Sequence, residues 1–232
     1  MKLKEKPRAG KGLLFNPYSH MIKILAAPGA VLWYRIKLHR ISEKSPKNLK
    51  GGVIIASNHN SFNDPVILFY AFWRKRLSFL ATKELFGTPI NRFFFKNMNC
   101  IMVDREKFGV STLKEACRKL KHDLSVVIFP EGLINCTEDE LLRYKAGAAF
   151  MATKSGKPVL PVYIANRKRW WERTHVVIGE CVDISQICRD IHKKDALNYA
   201  SEYLYRQELV LAEYYHTYIK EGRKSIGEQE NA

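Results

Sequence analysis

The sequence predicts an α/β fold: a mixed, largely parallel sheet flanked by helices, with an interfacial helical segment at the N-terminus. Three observations carry that expectation. Short apolar runs recur at 53–56, 77–81, 100–103, 126–129, 159–164 and 176–178. Helical patterns lie between them at 64–73, 84–96, 108–122 and 142–155. Strands that alternate with helices in this way become parallel neighbours in one sheet. The chain has 232 residues, 46% hydrophobic and 27% charged, which suits one core and excludes a chain disordered throughout.

Residues 1–45 read as a basic segment for the membrane interface. Lys2, Lys4, Lys6, Arg8 and Lys11 come first, and a mostly apolar stretch follows at 12–34. Trp33 and Tyr34 end that stretch, and Arg35, Lys37, His39 and Arg40 come after it. Basic flanks with aromatic ends suit a helix lying in the headgroup region. A helix packed on the domain fits the same pattern, so both readings stand. Crossing a bilayer is not expected. Lys23 sits near the middle of the stretch and costs about 3 kcal/mol there, and the uncharged part, 24–34, is too short to span. No secretory signal is visible.

The polar, Gly- and Pro-bearing residues 42–52 join this segment to an expected domain at 46–222. Its last helix is expected at 196–221, where Leu197, Ala200, Leu204, Leu211, Tyr214 and Tyr218 recur at mostly three- and four-residue steps before Gly222. Residues 223–232 read as a frayed tail.

Lys and Arg number 39 against 23 Asp and Glu, a net charge of +16. Such an imbalance points to an anionic partner: nucleic acid, an anionic membrane surface or a phosphorylated small molecule. Asn166-Arg167-Lys168-Arg169-Trp170-Trp171 suits a nucleic-acid binder, but no nucleic-acid-binding motif accompanies it, and no nucleic acid is expected. The five cysteines, Cys100, Cys117, Cys136, Cys181 and Cys188, are odd in number and none are spaced Cys-x-x-Cys. That argues for a reducing compartment and against a disulfide scaffold or a four-ligand zinc site. The expected location is therefore the cytoplasmic side of a membrane, peripheral or interfacial. No metal or cofactor is expected.

The chemistry-bearing residues follow the apolar runs. Ser57-Asn58-His59-Asn60-Ser61-Phe62-Asn63-Asp64-Pro65 comes straight after the run at 53–56. In a parallel sheet, residues just past a strand's carboxyl end sit where ligands bind. The spacing suits a loop His and a carboxylate at the start of the next helix, with Pro65 in the first turn and Asp64 as N-cap. A carboxylate on one imidazole nitrogen leaves the other to take a proton. A structural His bound to a capping Asp has the same spacing, and both readings stand at this point.

Phe129-Pro130-Glu131-Gly132 ends another run, and Gly132 permits a tight turn there. An exposed Glu in a Pro-Gly turn is the plainer alternative. Asp104-Arg105 ends the run at 100–103, where an Arg fork can clamp a phosphate or pair with a neighbouring acid. Lys83 and Lys145 are further candidates for a positive pocket, or solvated surface lysines. Pro161 interrupts 159–162, which reads as a pocket wall or an edge strand.

In this order the pieces resemble the glycerolipid acyltransferase family over about residues 50–180. Asn58-His59 with Asp64, Val103-Asp104-Arg105, Phe129-Pro130-Glu131-Gly132, the Pro161 run and Lys145-Ala146-Gly147 match its motifs in sequence. The resemblance implies that His59 deprotonates an acceptor hydroxyl and Asp64 orients it. The acceptor would be a lysophospholipid, 1-acylglycerol-3-phosphate giving phosphatidic acid in the best-known type. The acyl donor would be a thioester, acyl-CoA or acyl carrier protein, with no covalent acyl-enzyme. Arg105, with Lys83 and Lys145, would hold the acceptor's phosphate, and Glu131 and Gly132 would shape the acceptor site. One departure bears on the acceptor: the family continues its third motif with Thr-Arg or Ser-Arg, and this chain has Leu133-Ile134. A different lysophospholipid, another alcohol or a relaxed phosphate site are the alternatives this leaves. With the His59–Asp64 motif intact, catalysis is expected to survive, and a catalytically silent membrane-binding protein is a separate rival reading.

Overall fold

The computed structural model describes residues 17–104, 109–135, 141–167, 169, 171–192 and 195–221. Along the chain it forms α1 (Pro17–Tyr34), β1 (Lys37–Arg40), β2 (Ile54–Ser57), α2 (Asp64–Ala71), β3 (Leu77–Thr82) and a 3-10 turn (Lys83–Phe86). Then come α3 (Pro89–Asn97), β4 (Ile101–Val103), α4 (Val110–Lys121), β5 (Ser125–Ile128) and α5 (Gly147–Ser155). The last elements are β6 (Val159–Ile164), β7 (His175–Ile178), α6 (Ile184–Ile187), α7 (Ala196–Tyr214) and a π-helical stretch (Tyr215–Glu221).

The strands make one seven-stranded sheet in the order β1-β7-β6-β2-β5-β3-β4. Strands β6, β2, β5, β3 and β4 run parallel, so their carboxyl ends share one edge. β7 is antiparallel to β6, and β1 pairs parallel with β7. The α/β class and the mixed, largely parallel sheet are those the sequence predicts. Side chains along β2 alternate between the two faces of the sheet: Ile54 and Ala56 pack with α4, α5 and α7 on one face. Val53 and Ile55 pack with α2 and Tyr34 of α1 on the other. Both faces of the sheet are thus covered, which is why the parallel strands read as continuous apolar runs.

Several elements depart from the sequence expectation for identifiable reasons. β1 pairs Lys37–Arg40 with His175–Ile178 at the sheet's edge, and its charged residues gave no apolar run. The helix expected at 84–96 divides, because Thr88 caps α3 by accepting from Asn91 N–H (3.1 Å) and Pro89 opens it. The helix expected at 142–155 starts only at Gly147. Pro161 lies on an interior strand rather than an edge. On the β7 side its carbonyl accepts from Gly179 N–H (3.0 Å), between the Val159–Val182 bridge and the ladder that begins at Val162, so its missing N–H leaves the ladder with β2 whole. Among the described residues, no helix is long and apolar enough to cross a membrane.

Candidate active site

β2 runs through the core and delivers Asn58 and His59 to the carboxyl edge of the sheet. There His59 Nδ1 lies 2.9 Å from Asp64 Oδ2. The spacing predicts Asp64 as the N-cap of α2, and the structure corrects this. Asn63 occupies the cap without a side-chain bond, and Asp64, 1% exposed, turns its carboxylate back on the loop. Asp64 Oδ2 accepts from Asn60 N–H (2.6 Å) and Ser61 N–H (2.8 Å), and Oδ1 accepts from the Ser61 hydroxyl (2.9 Å). Three hydrogen bonds besides the His59 contact thus hold this carboxylate in place. The carboxylate can only accept from Nδ1, so the imidazole carries its proton there and Nε2 keeps a lone pair. The ring stacks on Phe129 with centroids 4.0 Å apart, which fixes its plane. A base with its tautomer and plane both set can take a proton from a hydroxyl presented at Nε2.

The loop after β5 holds His59 from beneath. Glu131 is 2% exposed, and its Oε1 accepts from His59 N–H (3.2 Å). Burial pushes the Glu131 carboxyl up to about 7, against the pull of the His59 N–H and imidazole and of the Leu142 backbone. Asn135 N–H donates to the His59 carbonyl (2.7 Å). Gly132 turns the chain at φ +76°, and a side chain there would meet Lys145 Nζ at 2.7 Å. Only glycine combines that dihedral with that closeness. Lys145 reaches this position because Lys145 N–H donates to the Pro130 carbonyl (2.9 Å) and residues 141–145 are not helical.

Glu131 therefore bonds the His59 backbone, and Gly132 and Lys145 lie against each other in the turn that carries it. Lys83 starts the 3-10 turn after β3 and donates to Asp104 Oδ2 (2.9 Å), an exposed pair two strands across from β2. Arg105 lies outside the described residues, as does Trp170. Asn58 does more than mark the motif. Its side chain accepts from Ile164 N–H (2.8 Å) and donates to the Ile164 carbonyl (2.9 Å), locking the loop to the end of β6. Asn60 Nδ2 donates to the same carbonyl (2.9 Å).

Two contributors escape the sequence reading. Glu208 of α7 accepts from Asn58 N–H (2.5 Å) and is fully buried. Tyr34, at the end of α1, feels the Asp64 charge, and its hydroxyl is pushed up mainly by burial while Arg167 opposes. The Arg167 guanidinium lies over both the Trp33 and Tyr34 rings, at 5.7 and 5.6 Å. Contacts of this kind cannot be seen in local spacing. Among the described residues, no group of three or more His, Cys, Asp or Glu could hold a metal ion.

Comparison with known proteins places this geometry. A sequence model described as Acyltransferase matches residues 35–165. The 1-acyl-sn-glycerol-3-phosphate acyltransferase of Helicobacter pylori is 32% identical over 118 residues, 50% of this chain and 49% of that protein. The protein of the same name from Borreliella burgdorferi is 33% identical over 132 residues, 56% of this chain and 51% of that one. The chain thus spans about half the length of these relatives. The crystal structure of the 1-acyl-sn-glycerophosphate (LPA) acyltransferase PlsC from Thermotoga maritima superposes with a TM-score of 0.59 at 25% identity, covering 83% of this chain and 79% of that one.

Proposed function

The chain belongs to the acyltransferase family, and from that premise we propose that it transfers a fatty acyl group from an acyl thioester to the free hydroxyl of a lysophospholipid. The acceptor is 1-acylglycerol-3-phosphate and the product phosphatidic acid. The observation that carries this reading is the His59–Asp64 pair at 2.9 Å, with Nε2 left as the proton acceptor. As the acceptor oxygen attacks the thioester carbonyl, Nε2 takes the hydroxyl proton. Asp64 holds the imidazolium that forms. The tetrahedral intermediate collapses, the C–S bond breaks, and the thiolate leaves with the proton from Nε2. No covalent acyl-enzyme is needed. The Ser57 and Ser61 hydroxyls already donate to Asn58 and Asp64, which supports direct transfer. General-base catalysis of this kind contributes about 10²–10⁴-fold.

Lys145 beside Gly132 supplies a cation for the acceptor's phosphate, Lys83 adds to it from the same edge of the sheet, and Arg105, which lies outside the described residues, is the third cation of this reading. Leu133 and Ile134 favour a second reading within the class, a different lysophospholipid, because no cation stands in the third motif. The donor is acyl-CoA or acyl carrier protein. The acceptor is drawn from an anionic membrane surface at the cytoplasmic side. Supporting this, Phe62 of the catalytic loop is 86% exposed, and the apolar side chains Ile24, Leu25 and Leu32 of α1 and Ile90 and Phe93 of α3 face outward.

The test is thiol release from a long-chain acyl-CoA, and from acyl carrier protein, with lysophosphatidic acid as acceptor. Release should require both the acceptor and His59, falling at least a hundredfold in His59→Ala with the fold intact. Near-wild-type turnover in His59→Ala would remove the mechanism. Release with another lysophospholipid alone would move the assignment to the second reading.

A further inference from the structure

Two buried carboxyl groups grip consecutive N–H groups of the catalytic loop. Glu131 takes the N–H of His59 (3.2 Å), and Glu208 takes that of Asn58 (2.5 Å). Glu131 belongs to the third motif. Glu208 sits on α7, beyond the residues 35–165 that the family model matches. It lies on the buried stripe of that helix, between Leu204 and Leu211, where a leucine would pack without desolvating an acid. Glu208 is 0% exposed, and its Oε2 meets no hydrogen-bond partner. Burial pushes its carboxyl well above the usual range, the nearby Glu131 adds to this, and the Asn58 N–H opposes. A group buried at such cost is a poor packing choice. What it does achieve is to hold one peptide plane, the plane that enters His59. The Asn58 side chain is already committed to Ile164, so Glu208 fixes the backbone itself.

We propose that Glu208 is a positioning residue: by accepting the Asn58 N–H it sets the peptide that leads into His59 and so aims Nε2 at the acceptor hydroxyl. The catalytic half of this rests on His59 being the base, as proposed above. Glu208→Gln keeps a carbonyl oxygen to accept that N–H. Glu208→Leu removes the acceptor and fills the stripe. Glu208→Met, matched in length, is the second apolar variant.

Steady-state kinetics and amide hydrogen exchange on the full chain decide the matter. In the leucine and methionine variants kcat should fall about 10–100-fold, the loss that a misaimed reacting group brings. KM should stay within twofold and the melting temperature should hold or rise. The glutamine variant should keep kcat within about twofold. In the absence of substrate, the Asn58 amide should exchange faster in the apolar variants and not in the glutamine variant. A stable apolar variant with wild-type kcat overturns the proposal, as does a glutamine variant as slow as the leucine one. Loss of folding in both apolar variants assigns Glu208 to stability and overturns it as well. If the wild type transfers no acyl group, the function reading fails on its own. The exchange measurement then still decides whether Glu208 holds Asn58, and unchanged exchange in the apolar variants refutes that hold.

Discussion

Glu131 makes the stability of this protein depend on pH in a direction that can be worked out. Its carboxyl titrates near 7 in the fold, against 4.5 as the ordinary value. Between those values the folded state keeps a proton that the unfolded chain has released. The stability this group contributes is therefore full below about 4.5 and is lost as pH rises through about 7. Glu131→Gln has no proton to lose and still offers a carbonyl oxygen to His59 N–H. Its stability should match wild type near pH 4 and exceed it at pH 8 by about 2 kcal/mol, a rise of about 5 °C in a chain of this size. Melting curves at the two pH values check this, and an equal difference at both would show that burial does not hold the proton. At this scale the sequence is legible where partners are close along the chain. His59 and Asp64 are five residues apart and could be paired by spacing alone. Glu208 binds a residue 150 positions away and looks like one more surface acid of a long helix. A signal existed: it stands four residues after Leu204 and three before Leu211, inside the apolar stripe rather than across from it.

Helices α1 and α3 form a joint apolar surface, since Tyr18 of α1 meets Phe93 of α3 edge-on with centroids 5.7 Å apart. Ile90 is 80% exposed and Phe93 61%, while Arg92 and Lys96 stand on the same helix. Apolar side chains bracketed by cations suit the headgroup boundary of an anionic bilayer. Placing negative charge on this face should separate membrane contact from folding, because neither Ile90 nor Phe93 is buried. The double variant Ile90→Glu, Phe93→Glu should lose at least tenfold in cosedimentation with anionic vesicles. Burying each side chain contributes about 1.5–3 kcal/mol, and the glutamates add repulsion. Melting temperature should change little. Undiminished cosedimentation would take α3 out of the membrane contact.

The same elements show why regular structure was only partly legible. Strands buried on both faces announced themselves as apolar runs, and β2, β5 and β6 stand where those runs are. β1 reads Lys-Leu-His-Arg and is a strand because β7 offers it an edge, a tertiary cause with no local trace. The reversal of β7 was equally hidden, since four consecutive buried residues carry no direction. The late start of α5 matters most for the site. A helix continuing back through residue 145 would leave no extended backbone to bond Pro130, and Lys145 would not reach Gly132.

The largest scale joins these parts. Five parallel strands end at one edge of the sheet, and that edge carries the His59–Asp64 pair after β2, the buried Glu131 after β5 and the Lys83–Asp104 pair after β3 and β4. The net charge of +16 is a property of the whole chain, legible from the sequence without any structure, and it draws the protein toward anionic surfaces at long range. On the proposed docking, apolar contact through α1 and α3 would hold only at close range and would not depend on salt. Vesicle binding should therefore have two separable parts. Raising salt from 0.1 to 1 M shortens the screening length from about 10 Å to about 3 Å. Each cation near the surface is worth about 1 kcal/mol before screening, so binding to anionic vesicles should fall by one to two orders of magnitude. Binding to zwitterionic vesicles should be weaker throughout and nearly flat over the same range. Flotation assays across the salt series read both parts directly. Anionic-vesicle binding that ignores salt would mean the charge is not used for docking. Salt-sensitive binding to DNA with none to vesicles would return the charge to the nucleic-acid reading, and would leave the proposed lysophospholipid acceptor without the membrane source proposed for it.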